Sequence, residues 1–282
     1  MIATVRIGAF HALAAGALDA PVVLVLHGFP DTPHSFAPMI AQLARGGHRV
    51  VAPWLRGYAP SPTVGPFDVD TLAADVIAWA DALSPTRPVA IVGHDWGAII
   101  AYVACMRAPT RVHAAVTLAV PHPQAFVRGL ASAAQLRRSW YMAAFQLPGA
   151  LQLAAARDFA LIDRLWRAWS PGYRLAEPLR RELHATLAAS WPAPALYYRA
   201  LTRPLGAAAE RLRRRDRIAV PTLYLHGAHD GCIGPGVGVG AERWFSGGYR
   251  REVIAGVGHF LAAEAPEVIA ARALGWLAAH PP

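Results

Sequence analysis

Pro88-Val89-Ala90-Ile91-Val92-Gly93-His94-Asp95-Trp96-Gly97-Ala98-Ile99-Ile100-Ala101-Tyr102-Val103 reads as a buried strand, a tight turn and a helix in immediate succession. The apolar run Val89–Val92 is strand-length, and the amphipathic run from Ala98 starts at once after Gly97. Gly93 and Gly97 fit a backbone that turns sharply and packs closely on its neighbours. A strand-to-helix elbow of this kind holds its central side chain out as a nucleophile. Here that side chain is the carboxylate of Asp95, and no Gly-x-Ser-x-Gly occurs in the chain. A serine at this place makes an acyl-enzyme. A carboxylate attacks carbon and forms an ester with part of the substrate, so the residue type separates alkyl from acyl transfer.

Strands and helices alternate on both sides of the elbow. Val22–Leu26 reads as a buried strand, Phe36–Arg45 as a helix and His48–Pro53 as a short strand. A helix over Asp70–Leu83 and a strand over Val112–Val120 follow. Such alternation implies right-handed crossovers and a parallel sheet covered by helices on both faces. From Gln124 to Arg215 the pattern is helical with no convincing strand, and five of the nine tryptophans (Trp96, Trp140, Trp166, Trp169, Trp191) fall in or beside this stretch. Strand rhythm returns at Pro221–Gly227 and Arg251–Ile254, and a last helix covers Pro266–Ala279. The expected fold is α/β, a mostly parallel central sheet flanked by helices, with a helical cap inserted. Residues 1–123 and 216–282 form the core and 124–215 the cap.

Composition sets bounds around this reading. The 282 residues, 55% hydrophobic, suit one large domain with an insertion. The two cysteines, Cys105 and Cys232, suggest neither a disulfide framework nor a zinc site. Apolar runs are strand-length, so no membrane insertion is expected. The N-terminal stretch lacks the layout of a signal peptide, and a reducing cytoplasm is the expected location. The net charge is +9 and every one of the 27 basic residues is arginine, a bias that looks like the codon usage of a GC-rich genome. Arg211-Leu212-Arg213-Arg214-Arg215-Asp216-Arg217 is the densest basic stretch. No nucleic-acid-binding motif accompanies it, and it reads as a solvated helix end.

Two further signals complete the elbow. Gly227-Ala228-His229-Asp230 ends the strand from Thr222, and Gly256-Val257-Gly258-His259-Phe260 follows the strand around Val253. The order is nucleophile, acid, histidine, with each candidate just past the C-terminal end of a strand, where open α/β sheets gather their active sites. The end of the Val112–Val120 strand is the other place for the acid, but Leu118–Pro123 holds no carboxylate, which leaves Asp230. Each residue has a plain structural alternative: Asp95 and Asp230 as turn carboxylates, His259 as a core histidine. His94 and His27 read as supports of the elbow and of the Gly28 turn. His122, between two prolines, reads as a loop residue. His226 and His229 lack the companions a metal site needs.

The chain resembles the α/β-hydrolase superfamily, and within it the epoxide hydrolases, over essentially its whole length. The resemblance rests on His27-Gly28-Phe29-Pro30, Arg56-Gly57-Tyr58, Gly93–Gly97, Asp230 and Gly258-His259-Phe260. It extends into the cap at Tyr141–Gly149 and Tyr197-Tyr198-Arg199. It implies that Asp95 opens an epoxide and that Tyr141 and Tyr198 give a proton to the leaving oxygen. It further implies that the amides of Phe29 and Trp96 form the oxyanion hole. His259, oriented by Asp230, would activate the water that releases a vicinal diol. Trp96, Phe29, Tyr141 and Tyr198 would line the substrate site. Tyr197 points about 100° away from Tyr198 on a helix, and Tyr198 is chosen on the Tyr-Arg match. Trp54 stands where relatives often carry Asp. The expected partners are a small apolar epoxide and water, with no cofactor, metal, or nucleic acid, for a monomer or homodimer.

Two alternatives stay open. A haloalkane or haloacid dehalogenase uses the same aspartate ester, but a departing halide needs two N–H donors and no proton, and Phe29 has no side-chain donor. Haloacid-acting relatives carry an arginine beside the nucleophile, where this chain has Trp96, Ala98 and Ile99. The Trp96 indole is a source of one such donor, and a cap tryptophan is a route to the second. The alternative of another class is a non-catalytic small-molecule-binding protein of the same fold.

Overall fold

A computed structural model describes residues 1–203 and 217–282. The central sheet has eight strands in the order β1-β2-β4-β3-β5-β6-β7-β8. These are β1 (Ala3–Ile7), β2 (Phe10–Ala15), β3 (Val22–Leu26), β4 (Arg49–Pro53), β5 (Val89–His94), β6 (Val112–Leu118), β7 (Thr222–Gly227) and β8 (Tyr249–Ile254). β3 to β8 pair in parallel, while β1 pairs with β2 and β2 with β4 in antiparallel fashion. β3 and β5 are buried at every position, as strands covered on both faces must be, which is why their sequences are unbroken apolar runs. The edge strand β8 is half-buried instead.

Helices α1 (Ala37–Arg45), α2 (Val69–Leu83) and α3 (Trp96–Arg107) and the C-terminal helix Pro266–Ala279 cover the sheet. Asp68 caps α2: its Oδ1 accepts from the Thr71 N–H at 3.0 Å, and its Oδ2 accepts from the Thr71 hydroxyl at 2.8 Å. Between β6 and β7 the chain leaves the sheet for a helical insertion, described from Pro123 to Thr202. Its helices are α4 (Pro123–Gly129), α5 (Ala133–Arg138), α6 (Trp140–Ala144), α7 (Ala150–Trp169), α8 (Glu177–Ser190) and α9 (Ala193–Thr202). α7 is kinked, with non-helical backbone from Ala156 to Phe159.

β4 lies on one side of β3 and β5 on the other, so the loops after β3 and β5 diverge at a switch point, the place where open α/β sheets form a crevice. The Gly28 turn and the Asp95 elbow sit there. The N-terminal hairpin of β1 and β2 was not anticipated from sequence. Most of the basic stretch Arg211–Arg217 lies outside the described residues; Arg217 itself donates to the Phe245 carbonyl at 2.8 Å.

Candidate active site

Asp95 occupies the turn between β5 and α3 with φ 52° and ψ −117°, a conformation that costs a non-glycine residue roughly 1–3 kcal/mol and is held only by its surroundings. Those surroundings are tight. A Cβ at Gly93 would lie 2.3 Å from the Gly97 carbonyl oxygen, and one at Gly97 would lie 2.2 Å from that of Leu26. Both glycines are therefore needed for the start of α3 to approach the ends of β3 and β5. Gly28 is equally constrained, since its Cβ would lie 2.4 Å from Asp95 Cβ and 2.5 Å from Asp95 Oδ1.

The two carboxylate oxygens of Asp95 differ. Oδ1 accepts the Phe29 backbone N–H at 2.8 Å. Oδ2 lies 3.6 Å from His259 Nε2, beyond hydrogen-bond range. Trp96, the first residue of α3, carries one of the amides that a helix start leaves without an intrahelical partner.

His259 Nδ1–H donates to Asp230 Oδ2 at 2.9 Å, which leaves Nε2 facing the nucleophile with no hydrogen-bond partner among the described residues. Burial works against the imidazolium, but the Asp230 charge and hydrogen bond, with help from Asp95, outweigh it and push His259 up to about 10. Asp230 is completed by backbone amides: its Oδ1 accepts from Cys232 N at 2.7 Å and Ile233 N at 2.9 Å. Burial alone would raise its pKa; the facing His259 and these amides hold it below the usual carboxylate value.

The helical insertion fixes both of these loops. Gln135 on α5 donates to the Cys232 carbonyl at 3.0 Å and accepts from the Gly234 N–H at 2.9 Å, and Arg138 Nη1 donates to the Asp230 carbonyl at 3.0 Å. Ser170, at the end of α7, accepts the N–H groups of His259 and Phe260 and donates to Glu264 Oε1 at 2.5 Å. Sequence reasoning missed these residues, because polar side chains in a helical stretch carry no local signature of what they will clasp.

Tyr141 and Tyr198 come together, with ring centroids 5.4 Å apart. Tyr141 Oη lies 3.5 Å from Cys232 Sγ. Tyr198 Oη is buried without a hydrogen-bond partner among the described residues. Burial raises both phenols well above their ordinary value, so both carry their protons. Tyr197 turns the other way and donates its hydroxyl to the Arg56 carbonyl.

An apolar cavity of about 560 Å³ opens on Asp95, Trp96, Tyr141 and Tyr198. The Phe29 ring does not line it; it packs edge-on against Phe145 and Tyr198, so this residue's contact with the site is its amide. Trp54 is likewise away from the cavity, buried beside His34 with ring centroids 5.2 Å apart. His122 does line the cavity, besides accepting the Gln124 N–H at 3.2 Å to cap α4.

Two supports read from sequence are in place. His27 donates to the Gly28 carbonyl at 3.0 Å and accepts the Leu55 N–H at 3.1 Å, and burial lowers its pKa to about 4, keeping it neutral. His94 Nε2 donates to the His259 carbonyl at 2.9 Å. Asp31 carries no motif in the sequence, yet burial raises it to about 7 against the hydrogen bonds from Ser35 and Thr32. Among the described residues no cluster of three or more His, Cys, Asp or Glu is placed to hold a metal ion.

Residues 21–266 match the family model described as alpha/beta hydrolase fold. The chain belongs to the α/β-hydrolase family. It is 29% identical to epoxide hydrolase A of Mycobacterium tuberculosis over 93% of this chain and 92% of that one. It is 27% identical to mouse epoxide hydrolase 4 over 92% and 74%. Among solved α/β-hydrolases it shares the fold of an inhibitor-bound epoxide hydrolase from Bacillus megaterium, with a TM-score of 0.85 over 98% of this chain and 100% of that one at 22% identity. A structure described as a putative epoxide hydrolase from Klebsiella pneumoniae aligns with a TM-score of 0.80 over 97% and 96% at 25% identity.

Proposed function

We propose that this chain hydrolyses epoxides to vicinal diols through a covalent ester on Asp95. The observation that carries the reading is one apolar cavity lined by a carboxylate nucleophile and two protonated phenols. An epoxide's leaving oxygen stays on the substrate and needs a proton as the ring opens; a halide needs none. Phe29 offers no side-chain donor. The indole N–H groups of Trp166 and Trp191 are already given to the carbonyls of Pro30 and Leu151, which removes two candidates for halide binding. The names of the curated relatives agree with the epoxide reading.

The steps follow from the two unlike oxygens of Asp95. Oδ2 attacks an epoxide carbon, the ring C–O bond breaks, and Tyr141 or Tyr198 protonates the oxygen released. Oδ1 stays on the Phe29 amide as the ester carbonyl oxygen, already in place to become the oxyanion, with the Trp96 amide as its second donor. Esterification removes the negative charge of Asp95 that helped hold the proton on His259; that proton leaves to solvent and is regained when Asp95 is again ionised. The imidazole can then take a proton from water, while Asp230 keeps Nδ1 protonated and steadies the imidazolium. Hydroxide adds to the ester carbonyl, the bond to the substrate breaks, and His259 returns its proton to the departing alkoxide. Asp95 leaves as the carboxylic acid with one oxygen from water, and its proton restores the phenol that was ionised at ring opening, so that Asp95 is again a carboxylate. The experiment is intact mass of His259→Gln after exposure to epoxides and, separately, haloalkanes. A gain equal to the whole epoxide, absent when Asp95→Asn is added, is expected. An alkyl-sized gain with halide release alone means a dehalogenase, and no adduct from either panel favours the binding-protein alternative.

A further inference from the structure

Among the described residues, the lining of the cavity follows one helix away from the nucleophile. On α3, Trp96, Ile99, Val103 and Met106 line it; at spacings of three and four they form one stripe of the helix. Phe126 and Val127 of α4, with Leu130 just after it, supply further wall. Val69 and Asp70, at the start of α2, also line it. Arg107 Nη1 donates to the Asp70 carbonyl at 2.9 Å, which places these two beside the C-terminal end of α3. The cavity therefore extends from the nucleophile along the length of that helix.

Behind the reacting centre the space is filled. Trp169 packs against His259 with ring centroids 5.1 Å apart, and Trp166 lies flat on Phe260 at 3.4 Å. Phe29 closes on Phe145 and Tyr198. None of Phe29, Phe145, Trp166 and Trp169 lines the cavity.

We infer that the site takes an oxirane at or next to the end of a long apolar chain, with that chain laid along α3. The inference rests on the epoxide reading above. Trp96 and Met106 are ten residues apart, about 15 Å of helix. An extended chain advances about 1.2 Å per bond, a third of the ~3.6 Å reach of one residue. Helical side chains lean toward the N-terminus, which shortens the usable length, so the stripe matches a tail of about ten carbons. A second long substituent on the other oxirane carbon meets the filled wall of Phe29, Trp169 and His259.

The test uses purified full-length protein and epoxides of defined shape. From 1,2-epoxybutane to 1,2-epoxyhexadecane, kcat/KM rises about two- to fourfold per methylene, as burial of apolar surface requires, and levels near twelve carbons. cis-2,3-Epoxydodecane and cis-6,7-epoxydodecane are isomers with the same oxirane substitution but one long arm against two; the 2,3-isomer is favoured at least a hundredfold. Val103→Trp lowers the ratio of 1,2-epoxydodecane to 1,2-epoxyhexane turnover at least tenfold, and Met106→Trp does so at a second position should the first variant fail to fold. Equal or better turnover of the 6,7-isomer, or rates independent of chain length, overturns the inference and leaves the epoxide reading standing. No turnover of any epoxide, with no adduct on His259→Gln, overturns both.

Discussion

Replacing Asp230 by asparagine separates the two halves of the proposed reaction. The asparagine Oδ1 still accepts the amides of Cys232 and Ile233, which bind Asp230 Oδ1 at 2.7 and 2.9 Å, so the loop keeps its shape. Its Nδ2 then faces His259 Nδ1 at the present 2.9 Å, two donors point at each other, and the imidazole proton moves to Nε2, the nitrogen that must accept from water. The lost charge has a size. Two unit charges about 4 Å apart interact by about 4 kcal/mol at the effective dielectric of a protein, or roughly three pH units, in keeping with a histidine raised from 6.5 to about 10. Ester hydrolysis, in which the imidazolium forms, should slow about a thousandfold. Ring opening needs Asp95 and the tyrosines and should change less than about tenfold. kcat and KM therefore fall together while kcat/KM is nearly kept. Stopped-flow fluorescence, with Trp96 next to Asp95 as reporter, and intact mass of the quenched enzyme should show the ester accumulating. A matching loss of kcat and kcat/KM, with no adduct, refutes this division of labour.

Further expectations can be checked alongside. Tyr141→Phe and Tyr198→Phe should each slow the burst of enzyme alkylation by about ten- to a hundredfold, and the double variant by more, as expected of general acids, with ester hydrolysis little changed; single-turnover kinetics resolves the two steps. Gly28→Ala places a methyl against Asp95 Cβ and Oδ1 and should lower thermal stability by about 1–3 kcal/mol and activity by more than about a hundredfold, read by calorimetry and steady-state rates. His259 acts as a base only when neutral, so hydrolysis of the ester should rise with pH. Because esterified Asp95 no longer supports the proton, the pKa seen in that step should lie below the value of about 10 in the free enzyme, as pH-jump and NMR titration would show. Asp31, raised to about 7, favours folding when protonated and loses that contribution as pH climbs through 7. Asp31→Asn should therefore help stability more at pH 8 than at pH 5 in paired melting curves.

What could be read from sequence follows from how local each signal is. β3 and β5 are covered on both faces, so their apolar runs are unbroken; a Cβ at Gly93 would meet the Gly97 carbonyl of the elbow itself at 2.3 Å, whereas the constraint on Gly97 comes from the Leu26 carbonyl of β3, 2.2 Å from where its Cβ would stand. The β1–β2 hairpin escaped notice because Ala3–Ile7 is an edge strand with most positions exposed, which leaves no apolar pattern. Asp95, Asp230 and His259 were legible by order along the strands, and Tyr141 and Tyr198 only through family resemblance. Ser170, Gln135 and Arg138 were not legible, because each acts on a loop far away in the chain. Phe29 shows the limit in the other direction: the residue was placed at the site, but its ring turns away and only its amide reaches Asp95.

The central claim, that the substrate is bound through an ester on Asp95, is tested most directly by a single turnover in water enriched in oxygen-18. With enzyme in excess over a terminal epoxide, the account predicts an unlabelled diol and one heavy oxygen in the peptide containing Asp95, because the new hydroxyl comes from the carboxylate and water refills it. A diol that carries the label in that first turnover, with Asp95 unlabelled, would mean that water attacks the epoxide directly and would contradict the account.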